Sequence, residues 1–233
     1  AFEDYLGKKG LYKQMEHILI RNGIDLHGCT ITSLASGTCA LESSILRRHQ
    51  GIKKMICVEF SKHRIIEIAP RILKYYNIDP NQIELCVGSF YNLRIKDNSL
   101  DFVMLSQAFH HAADPEKLLS EAKRVLKQDG KIIIIGEHYF KPMEVFKRTI
   151  KHVIKWITNY KQQRKKTGFY PSWQYLFPPS KEKGDIHYSH NQYKQLFKKS
   201  ELKYKRFIFR DIKNQAFFLE VLSENDLEND GVK

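Results

Sequence analysis

Cysteine is scarce in this chain, and its few cysteines are spaced too widely for the common cysteine-based sites. The 233 residues include four cysteines, with no Cys-x-x-Cys pair and no Cys/His cluster of the kind that binds zinc. Cys57 and Cys86 fall in segments predicted to be strands, where a free cysteine usually acts as a small buried apolar residue. We therefore predict no metal site. A chain of this length can bury a core without disulfide or metal staples.

Long apolar runs are also missing. The longest covers about four residues, Ile132–Ile135, whereas a membrane-spanning helix needs roughly 20. The first ten residues, AFEDYLGKKG, contain no apolar signal core. We therefore expect a soluble, cytoplasmic protein with a single domain, or one domain with a modest appendage.

Acidic residues are outnumbered, and the basic surplus is partly concentrated in one segment. The formal net charge is +13, and residues 147–166 carry eight Lys/Arg and no Asp/Glu. Such a surplus fits a phosphorylated substrate, a membrane surface or RNA, although a Lys-rich composition alone also explains it. No appended RNA-binding module is evident, so RNA is disfavoured as a partner, and DNA binding is not predicted. The sequence does not indicate an oligomeric state.

Segments of strand character alternate with segments of helical spacing through the first 140 residues. Helices are predicted over residues 2–22, 38–48 and 61–76, the last kinked or restarted at Pro70. Strands are predicted at Thr30–Leu34, Met55–Val58, Ile83–Val87, Leu100–Leu105 and Ile132–Ile135. This alternation indicates βαβ units, and strands that are apolar throughout indicate a parallel sheet covered on both faces. The predicted fold class is therefore α/β and doubly wound.

The pattern changes after residue 140. A long basic amphipathic helix is predicted over residues 142–166, followed by a loop over 167–188 that is rich in proline, glycine and aromatic residues. A helix over 189–200 and two strands over 204–210 and 216–222 complete the prediction, with a hairpin turn at 211–214.

The stretch from residue 84 to residue 139 carries the most informative pattern. Its features, in order, are a strand ending in Gly88-Ser89, a strand entered through Asp101-Phe102, the His110-His111 pair, a helix opened by Asp114-Pro115, and a turn at Asp129-Gly130 before the last apolar strand. This order resembles the second half of the cofactor domain of class I S-adenosylmethionine-dependent methyltransferases of the small-molecule type. The resemblance spans roughly residues 27–140.

The resemblance implies a fold, a cofactor and a division of the chain. The fold would be a mostly parallel, seven-stranded Rossmann-like sheet with a C-terminal antiparallel hairpin, and the cofactor S-adenosylmethionine, released as S-adenosylhomocysteine. A single domain would comprise a helical cap (1–26), the cofactor-binding core (27–140), a helical and aromatic lid over the substrate (141–188), a C-terminal helix and hairpin (189–223), and a flexible acidic tail (224–233).

The predicted cofactor site follows the ends of the strands. At the first turn the family pattern is roughly D-x-G-x-G-x-G, and here Ser33, Ala35 and Cys39 replace its acid and two of its glycines, so that only Gly37 is kept. Glu59 closes the second strand, where an acid can accept from both ribose hydroxyls. The resemblance implies that the cofactor contacts the following residues: Ala35, Ser36, Gly37, Glu59, Phe60 (packed on the adenine), Ser89, Phe90 and Ser106.

The altered turn also bears on which cofactor binds. A dinucleotide places its pyrophosphate on a glycine-rich helix N-terminus, and this turn has lost two glycines. S-adenosylmethionine has no phosphate, so the loss is more tolerable for it. We therefore predict S-adenosylmethionine rather than NAD.

Histidines at the strand ends are the candidates for chemistry, since a pKa near neutrality suits proton abstraction. His111 is predicted to face the cleft, although a His pair at this point is common in the family and fits an architectural role as well. His138 follows the fifth strand, and His187 lies in the stretch Gly184–Ser189, which resembles a segment that shapes the acceptor site in related methyltransferases. Tyr139, Trp173 and Tyr188 are the predicted substrate-binding residues.

The acceptor itself is not determined by the sequence. We expect a hydroxyl or amine of a small molecule, with a sugar, nucleotide-sugar or glycan-linked acceptor favoured because aromatic residues of the predicted lid can stack on sugar rings and the basic helix can attract phosphate. The basic helix could instead be a solvated lid helix or lie on an anionic membrane. Two alternatives stay open: a non-catalytic methyltransferase-like binding subunit, which the altered turn favours, and an RNA or membrane-associated methyltransferase.

Overall fold

A seven-stranded sheet forms the centre of the protein in the computed structural model, which describes residues 10–158, 176–178 and 184–222. The strand order is β3-β2-β1-β4-β5-β7-β6, with β1 to β5 parallel and β7 antiparallel to both β5 and β6. The strands are β1 (Thr30–Leu34), β2 (Lys54–Glu59), β3 (Ile83–Val87), β4 (Leu100–Ser106), β5 (Leu126–His138), β6 (Leu202–Phe209) and β7 (Asn214–Val221). The predicted α/β class, the seven-stranded sheet and its C-terminal hairpin are confirmed.

Six α-helices are described around this sheet. They are α1 (Leu11–Asn22), α2 (Ala40–Arg48), α3 (Ala69–Tyr75), α4 (Pro115–Val125), α5 (Pro142–Thr158) and α6 (His190–Lys199). A π-helical segment, His63–Ile68, precedes α3, and Pro70 lies in the first turn of α3, so the predicted restart at this proline is confirmed. Ser189 caps α6 in a reciprocal capping box with Gln192.

The fifth strand is longer than its apolar core suggested. The predicted turn at Asp129-Gly130 is wrong as a strand boundary, because both residues lie within β5, which begins at Leu126. The register between β4 and β5 shifts between Leu100 and Phe102, so the additional residues form an irregularity inside the strand pair. The local turn signal therefore marks a bulge in this strand and not its beginning.

Alternating burial on the two faces of the sheet produces two apolar layers. Ile133 and Ile135 pack with α1 and α2, while Ile132 and Ile134 pack on the opposite face with α4 and α6; all four are fully buried. Each such side chain contributes about 1.5–3 kcal/mol by leaving water. An apolar strand of this kind is stable only where helices cover both faces.

The helix after β5 differs in part from its prediction. The predicted helix over 142–166 is described as α5 as far as Thr158, and its remainder lies outside the described residues. Of the side chains predicted for its apolar side, Phe146, Ile150, Ile154 and Ile157 are exposed, at 42–62 %. No helix in the described parts of the chain is both long and apolar enough to span a bilayer.

Two residues of the predicted loop over 167–188, Leu176 and Phe177, contact Arg148 of α5. The side chain of Phe177 is buried, its ring centroid lies 3.9 Å from that of Phe140, and the guanidinium of Arg148 lies over it at 4.4 Å. Arg148 also donates a hydrogen bond to the carbonyl of Leu176. Most of the predicted loop over 167–188, and the predicted acidic tail, fall outside the described residues.

Candidate functional site

The carboxyl ends of β1 and β4 meet at the point where the strand order reverses. β1 pairs with β2 on one side and with β4 on the other, so connections leave these strands in opposite directions. In open α/β sheets a ligand-binding crevice forms outside the strand ends at this point. The predicted site residues at 35–37, 59–60, 89–90 and 106 all follow or close a strand at this edge.

The turn after β1 keeps a glycine-type backbone although it has lost two glycines. Ala35, Gly37 and Cys39 all adopt left-handed conformations, with φ of 55°, 60° and 58°. A residue with a Cβ pays roughly 1–2 kcal/mol for this region. A Cβ added at Gly37 would meet nothing within 4 Å, so the space over the centre of the turn is open to a ligand.

Glu59 joins the end of β2 to this turn. One carboxylate oxygen accepts the backbone N–H of Gly37 at 2.8 Å, and the other accepts the backbone N–H of Ser61 at 2.9 Å. The side chain is largely buried. Each oxygen keeps a further lone pair, so Glu59 can still accept from ribose hydroxyls while it holds the turn in place.

A second buried carboxyl lies beneath the turn. The hydroxyl of Ser33 donates to Oε1 of Glu42 at 2.5 Å, and Glu42 is buried at the start of α2. Burial raises the pKa of Glu42 to about 7. The serine at the acidic position of the sequence pattern therefore contacts a buried carboxyl nine residues further on.

The other predicted cofactor residues reach the same edge with different exposure. Phe60 is 82 % exposed beside Glu59. The hydroxyl of Ser89 accepts the backbone N–H of Tyr91 at 3.2 Å, and the ring of Phe90 lies edge-on to that of Tyr91. Ser36 donates its backbone N–H to Val58 at 3.2 Å, which joins the turn to β2. The roles assigned to these residues, and to half-buried Ser106, stay predictions.

A buried chain of hydrogen bonds lies behind the histidines. Tyr193 donates its hydroxyl to Oε2 of Glu137 at 2.7 Å, and both Glu137 oxygens lie 3.2 Å from Nδ1 of His110. Glu137 and Tyr193 are fully buried, and His110 nearly so. Burial lowers the pKa of His110, but the carboxylate of Glu137 outweighs that effect and raises the pKa above its ordinary value. His110 is thus held in place by Glu137 and binds a proton more readily than an ordinary histidine does.

Three further imidazoles lie near His110, and their pKa values are lowered, in contrast to that of His110. The ring of His111 lies 4.3 Å from the ring of His110, and that of His138 lies 5.2 Å from it; the rings of His138 and His187 are 5.0 Å apart. Burial is the first cause that lowers the pKa of all three, and the charge of His110 adds to it. The fold therefore brings together the three histidines predicted to do chemistry.

The segment that carries His187 is fixed against the His110-His111 turn. The backbone N–H of Ile186 donates to the carbonyl of His110 at 2.8 Å. Oδ1 of Asp185 then lies 3.0 Å from Nδ1 of His111. His111 is the most exposed of the imidazoles, with 42 % of its side chain accessible.

A cavity of about 550 Å³ opens beside these histidines. Its walls include His138, Tyr139, Phe140, Val145, Thr149, Tyr188, Arg206 and Gln215. The guanidinium of Arg206 lies over the ring of Tyr139 at 5.7 Å, and its pKa is lowered by burial. Tyr188 donates its hydroxyl to the carbonyl of Ala112 at 3.4 Å, and burial raises its pKa to about 12. Trp173 lies outside the described residues.

Several residues of this site were not identified from the sequence. Glu137, Asp185 and Tyr193 hold the imidazoles, and Arg206 adds a cation to the cavity from β6. Glu137 and Tyr193 are 56 residues apart, so no local pattern links them. The one available signal was Glu137 itself, because an acid that closely follows the buried run Ile132–Ile135 requires a buried partner.

The sheet order and the turn held by Glu59 resemble those of class I S-adenosylmethionine-dependent methyltransferases. Residues 33–134, which are 102 of the 233 residues, match the family described as methyltransferase domain. The predicted Rossmann-like fold is confirmed, and the match over residues 33–134 supports the predicted family and cofactor class.

Solved structures share the fold over almost the whole chain. An S-adenosylmethionine-dependent methyltransferase from Aquifex aeolicus superposes with a TM-score of 0.62 at 15 % identity, covering 91 % of each chain. A structure of a complex between the Haloferax volcanii Trm112 methyltransferase activator and a methyltransferase matches with a TM-score of 0.64 at 17 % identity, covering 96 % of this chain and 98 % of that one. Identity at this level relates the folds alone.

Sequence relatives match over shorter spans. A demethylmenaquinone methyltransferase from Thermotoga maritima is 32 % identical over 75 residues, which is 32 % of this chain and 30 % of that protein. The first curated relatives are matched over 25 %, 39 % and 30 % of their own lengths. These matches are therefore too short to assign a substrate to this chain.

Proposed function

We propose that this protein transfers a methyl group from S-adenosylmethionine to a hydroxyl or amine of a small molecule bound in the cavity beside His138. The observation that carries the proposal is that two features lie at the same edge of the sheet, where β1 and β5 end. The open turn at Gly37, tied to Glu59, suits the cofactor, and the imidazole-lined cavity suits an acceptor.

The residues present fit the cofactor. Glu59 offers free lone pairs to ribose hydroxyls, the backbone at Gly37 leaves room for close approach, and exposed Phe60 offers an apolar face for a base. When bound, S-adenosylmethionine supplies a methyl group activated by a positive sulfur. Holding an acceptor beside it would account for much of the rate enhancement, because oriented reactants avoid an entropic cost of about 7–11 kcal/mol.

A hydroxyl acceptor also needs a base. His138 lines the cavity, and its lowered pKa keeps the imidazole neutral and able to take a proton at pH 7. His187 lies against His138 and can serve the same proton path. His110, held by Glu137, lies next to the rings of His111 and His138 and keeps the group in place.

The cavity supports a polar, phosphate-bearing acceptor such as a nucleotide-sugar. Arg206 is half-buried in its wall, where a planar guanidinium can bind phosphate through two hydrogen bonds. Tyr139 and Phe140 offer aromatic faces for a sugar ring. The volume of about 550 Å³ falls within the range of roughly 300–1,000 Å³ usual for small-molecule sites.

The proposal is tested by methyl transfer from S-adenosylmethionine carrying a labelled methyl group. Pools of nucleotide-sugars, simple sugars, amines and lipid-linked glycans are offered separately. We expect label in one pool, a loss of at least about 100-fold in rate for His138→Gln with cofactor affinity unchanged, and no change for exposed His63→Gln. Cofactor binding without transfer to any pool would instead favour the non-catalytic binding subunit.

A lipid-borne acceptor is a second candidate, favoured by the surface of α5. Met143, Phe146, Ile150, Ile154 and Ile157 form one exposed stripe, because their spacing of three or four residues places them on one side of the helix. Lys147 and Lys151 lie on the same helix, which is the arrangement of helices that rest on anionic membranes. The inner face of α5, at Val145 and Thr149, lines the cavity.

Vesicle flotation distinguishes this candidate from a water-soluble acceptor. Binding to vesicles with anionic lipids that is lost in Ile150→Glu, and is absent with neutral lipids, would support it. Equal flotation of the unaltered protein with anionic and with neutral vesicles would argue against it. The labelled-methyl assay would then identify the soluble acceptor.

A further inference from the structure

We infer that His110, His111 and Asp185 form a binding site for one divalent transition-metal ion next to His138, which lines the acceptor cavity. This differs from the sequence prediction of no metal site, which considered cysteine spacing and local clusters. The residues come from two segments more than 70 positions apart in the chain, so no local motif joins them.

The geometry of the donor atoms is the first observation. One ligand atom from each of the three side chains lies within 4.8 Å of the others. Nitrogen and oxygen ligands bound at about 2.1 Å from a common ion are separated by roughly 3–4 Å, so sub-ångström movements complete the site. The 3.0 Å separation of His111 Nδ1 and Asp185 Oδ1 already matches that spacing.

The second observation is that a buried carboxylate oxygen of Asp185 has no hydrogen-bond donor among the described residues. Oδ1 of Asp185 lies close to His111, but among the described residues it accepts no hydrogen bond of acceptable geometry. Nδ1 of His187, two residues on, is likewise buried without a hydrogen bond. Buried polar atoms without partners are costly, and a cation between Asp185 and His111 would satisfy the carboxylate.

The third observation is a support behind His110 of the kind that metal-binding histidines have. Glu137 holds Nδ1 of His110, and Tyr193 in turn holds Glu137, which leaves Nε2 of His110 for a ligand. Carboxylate groups that fix the far nitrogen of a ligating imidazole orient the ring and raise its basicity. No other cluster of three such donors occurs in the described residues.

The donor set selects the class of ion. Two imidazoles and one carboxylate favour zinc or a neighbouring first-row metal over magnesium or calcium, which prefer oxygen. Three protein ligands leave coordination positions open. The ring of His138, which lines the acceptor cavity, lies 5.2 Å from that of His110, so the metal site neighbours this cavity.

The proposed function would give this metal site a role in the reaction. That role rests on the proposed function, whereas the metal site itself does not. An ion held by His110, His111 and Asp185 would make a bound hydroxyl oxygen more acidic, and His138, whose ring lies 5.2 Å from that of His110, would receive the proton. The oxygen then forms the new bond to the methyl carbon as the bond from carbon to sulfur breaks, with the electron pair retained on sulfur.

The test is a titration of chelator-treated, full-length protein with Zn²⁺ by calorimetry and with Co²⁺ by visible absorption, without cofactor. We expect one ion per chain, with affinity reduced at least about 10-fold in His111→Ala and in the near-isosteric Asp185→Asn. Tyr193→Phe should weaken binding more modestly. The matched control is His63→Ala, because His63 forms a similar surface pair with Glu67 at 3.1 Å; it should bind as the unaltered protein does.

The outcomes separate this proposal from the proposed function. Absence of saturable binding, equal affinity in His111→Ala and Asp185→Asn, or loss of binding in His63→Ala would each overturn the metal site. Binding of S-adenosylmethionine is measured separately on the metal-free protein, so a failed metal titration leaves the cofactor result standing.

Discussion

At the scale of single residues, the turn after β1 shows how a backbone conformation can outlast the glycines that usually adopt it. Ala35 and Cys39 retain φ values of 55° and 58°, on either side of Gly37. The buried hydrogen bonds of Glu59 and the packing of Cys39 hold the turn in this form. Strain of this size is tolerated where the surrounding structure fixes the chain.

Ala35→Gly should therefore stabilise the protein. Removing the Cβ relieves left-handed strain worth roughly 1–2 kcal/mol, less the entropy that glycine adds to the unfolded chain, for a net gain of about 0.5–1 kcal/mol. The free energy of unfolding in urea measures the effect. Exposed Ala113, which is not among the left-handed residues, is the control, and Ala113→Gly should destabilise. A loss of stability in Ala35→Gly would contradict the account.

Glu42 should make stability depend on pH. Its pKa rises on folding from 4.5 to about 7 because of burial. Between these values the folded chain holds a proton that the unfolded chain has released, so the free energy of unfolding falls as pH rises from 4.5 to 7 and levels off above. The full effect is at most about 3 kcal/mol.

The contribution of Glu42 is isolated with Glu42→Gln, which keeps an acceptor for Ser33. Urea unfolding of both proteins at pH 5, 6, 7 and 8 should show a variant that gains relative stability as pH rises and then stays level. A constant difference at every pH would show that Glu42 does not titrate in this range.

The histidines should titrate in two groups. The pKa of His110 is raised by Glu137 against the effect of burial, while burial lowers the pKa of His138 and of His187. Imidazole signals followed by NMR, assigned with single His→Gln variants, should give a midpoint above 6.5 for His110 and below 6.5 for the other two. The reverse order would remove His138 as a neutral base at pH 7.

At the scale of elements, the end of β5 depends on contacts with α1. Gln14 accepts the backbone N–H of Gly136 at 3.0 Å. A Cβ at Gly136 would lie 2.6 Å from Gln107 and 2.7 Å from Leu11, at a φ of 76°. The first helix thus fixes the strand end that carries Glu137 and His138.

Gly136→Ala should accordingly destabilise the protein by about 2–4 kcal/mol, from left-handed strain together with overpacking. Gly37→Ala is the matched comparison, because its φ is 60° but its added Cβ meets nothing. That variant should lose only about 1–2 kcal/mol of stability. Equal unfolding free energies for the two variants would show that the contacts with α1 are not tight.

The elements that the sequence predicted well are those whose information is local. The run Ile132–Ile135 predicts a doubly covered strand because each residue must be buried. Ser189 and Gln192 mark the start of α6 within four residues. The start of β5 was missed because Asp129-Gly130, a turn signal in isolation, lies in a strand irregularity that only pairing with β4 defines.

At the scale of the whole molecule, the site is assembled from strand ends that sequence order keeps apart. The sheet order brings the ends of β1, β2, β4 and β5 to one edge, which is why residues near positions 37, 59, 110 and 138 could be assigned to one crevice from the fold alone. The chain from His110 to Glu137 to Tyr193 could not be predicted, because it depends on how α6 packs on the sheet. The same holds for Arg206, which enters from β6.

The most direct measurement is a calorimetric titration of the protein with S-adenosylmethionine and with S-adenosylhomocysteine, together with Glu59→Gln and Gly37→Ala. We expect micromolar binding of both ligands. We also expect a loss of at least about 10-fold in affinity in each variant, because Glu59 is proposed to accept from the ribose and the methyl group added in Gly37→Ala would occupy the open space over the turn. Folded protein that binds neither ligand, or variants that bind as the unaltered protein does, would contradict the assignment of this edge as the cofactor site.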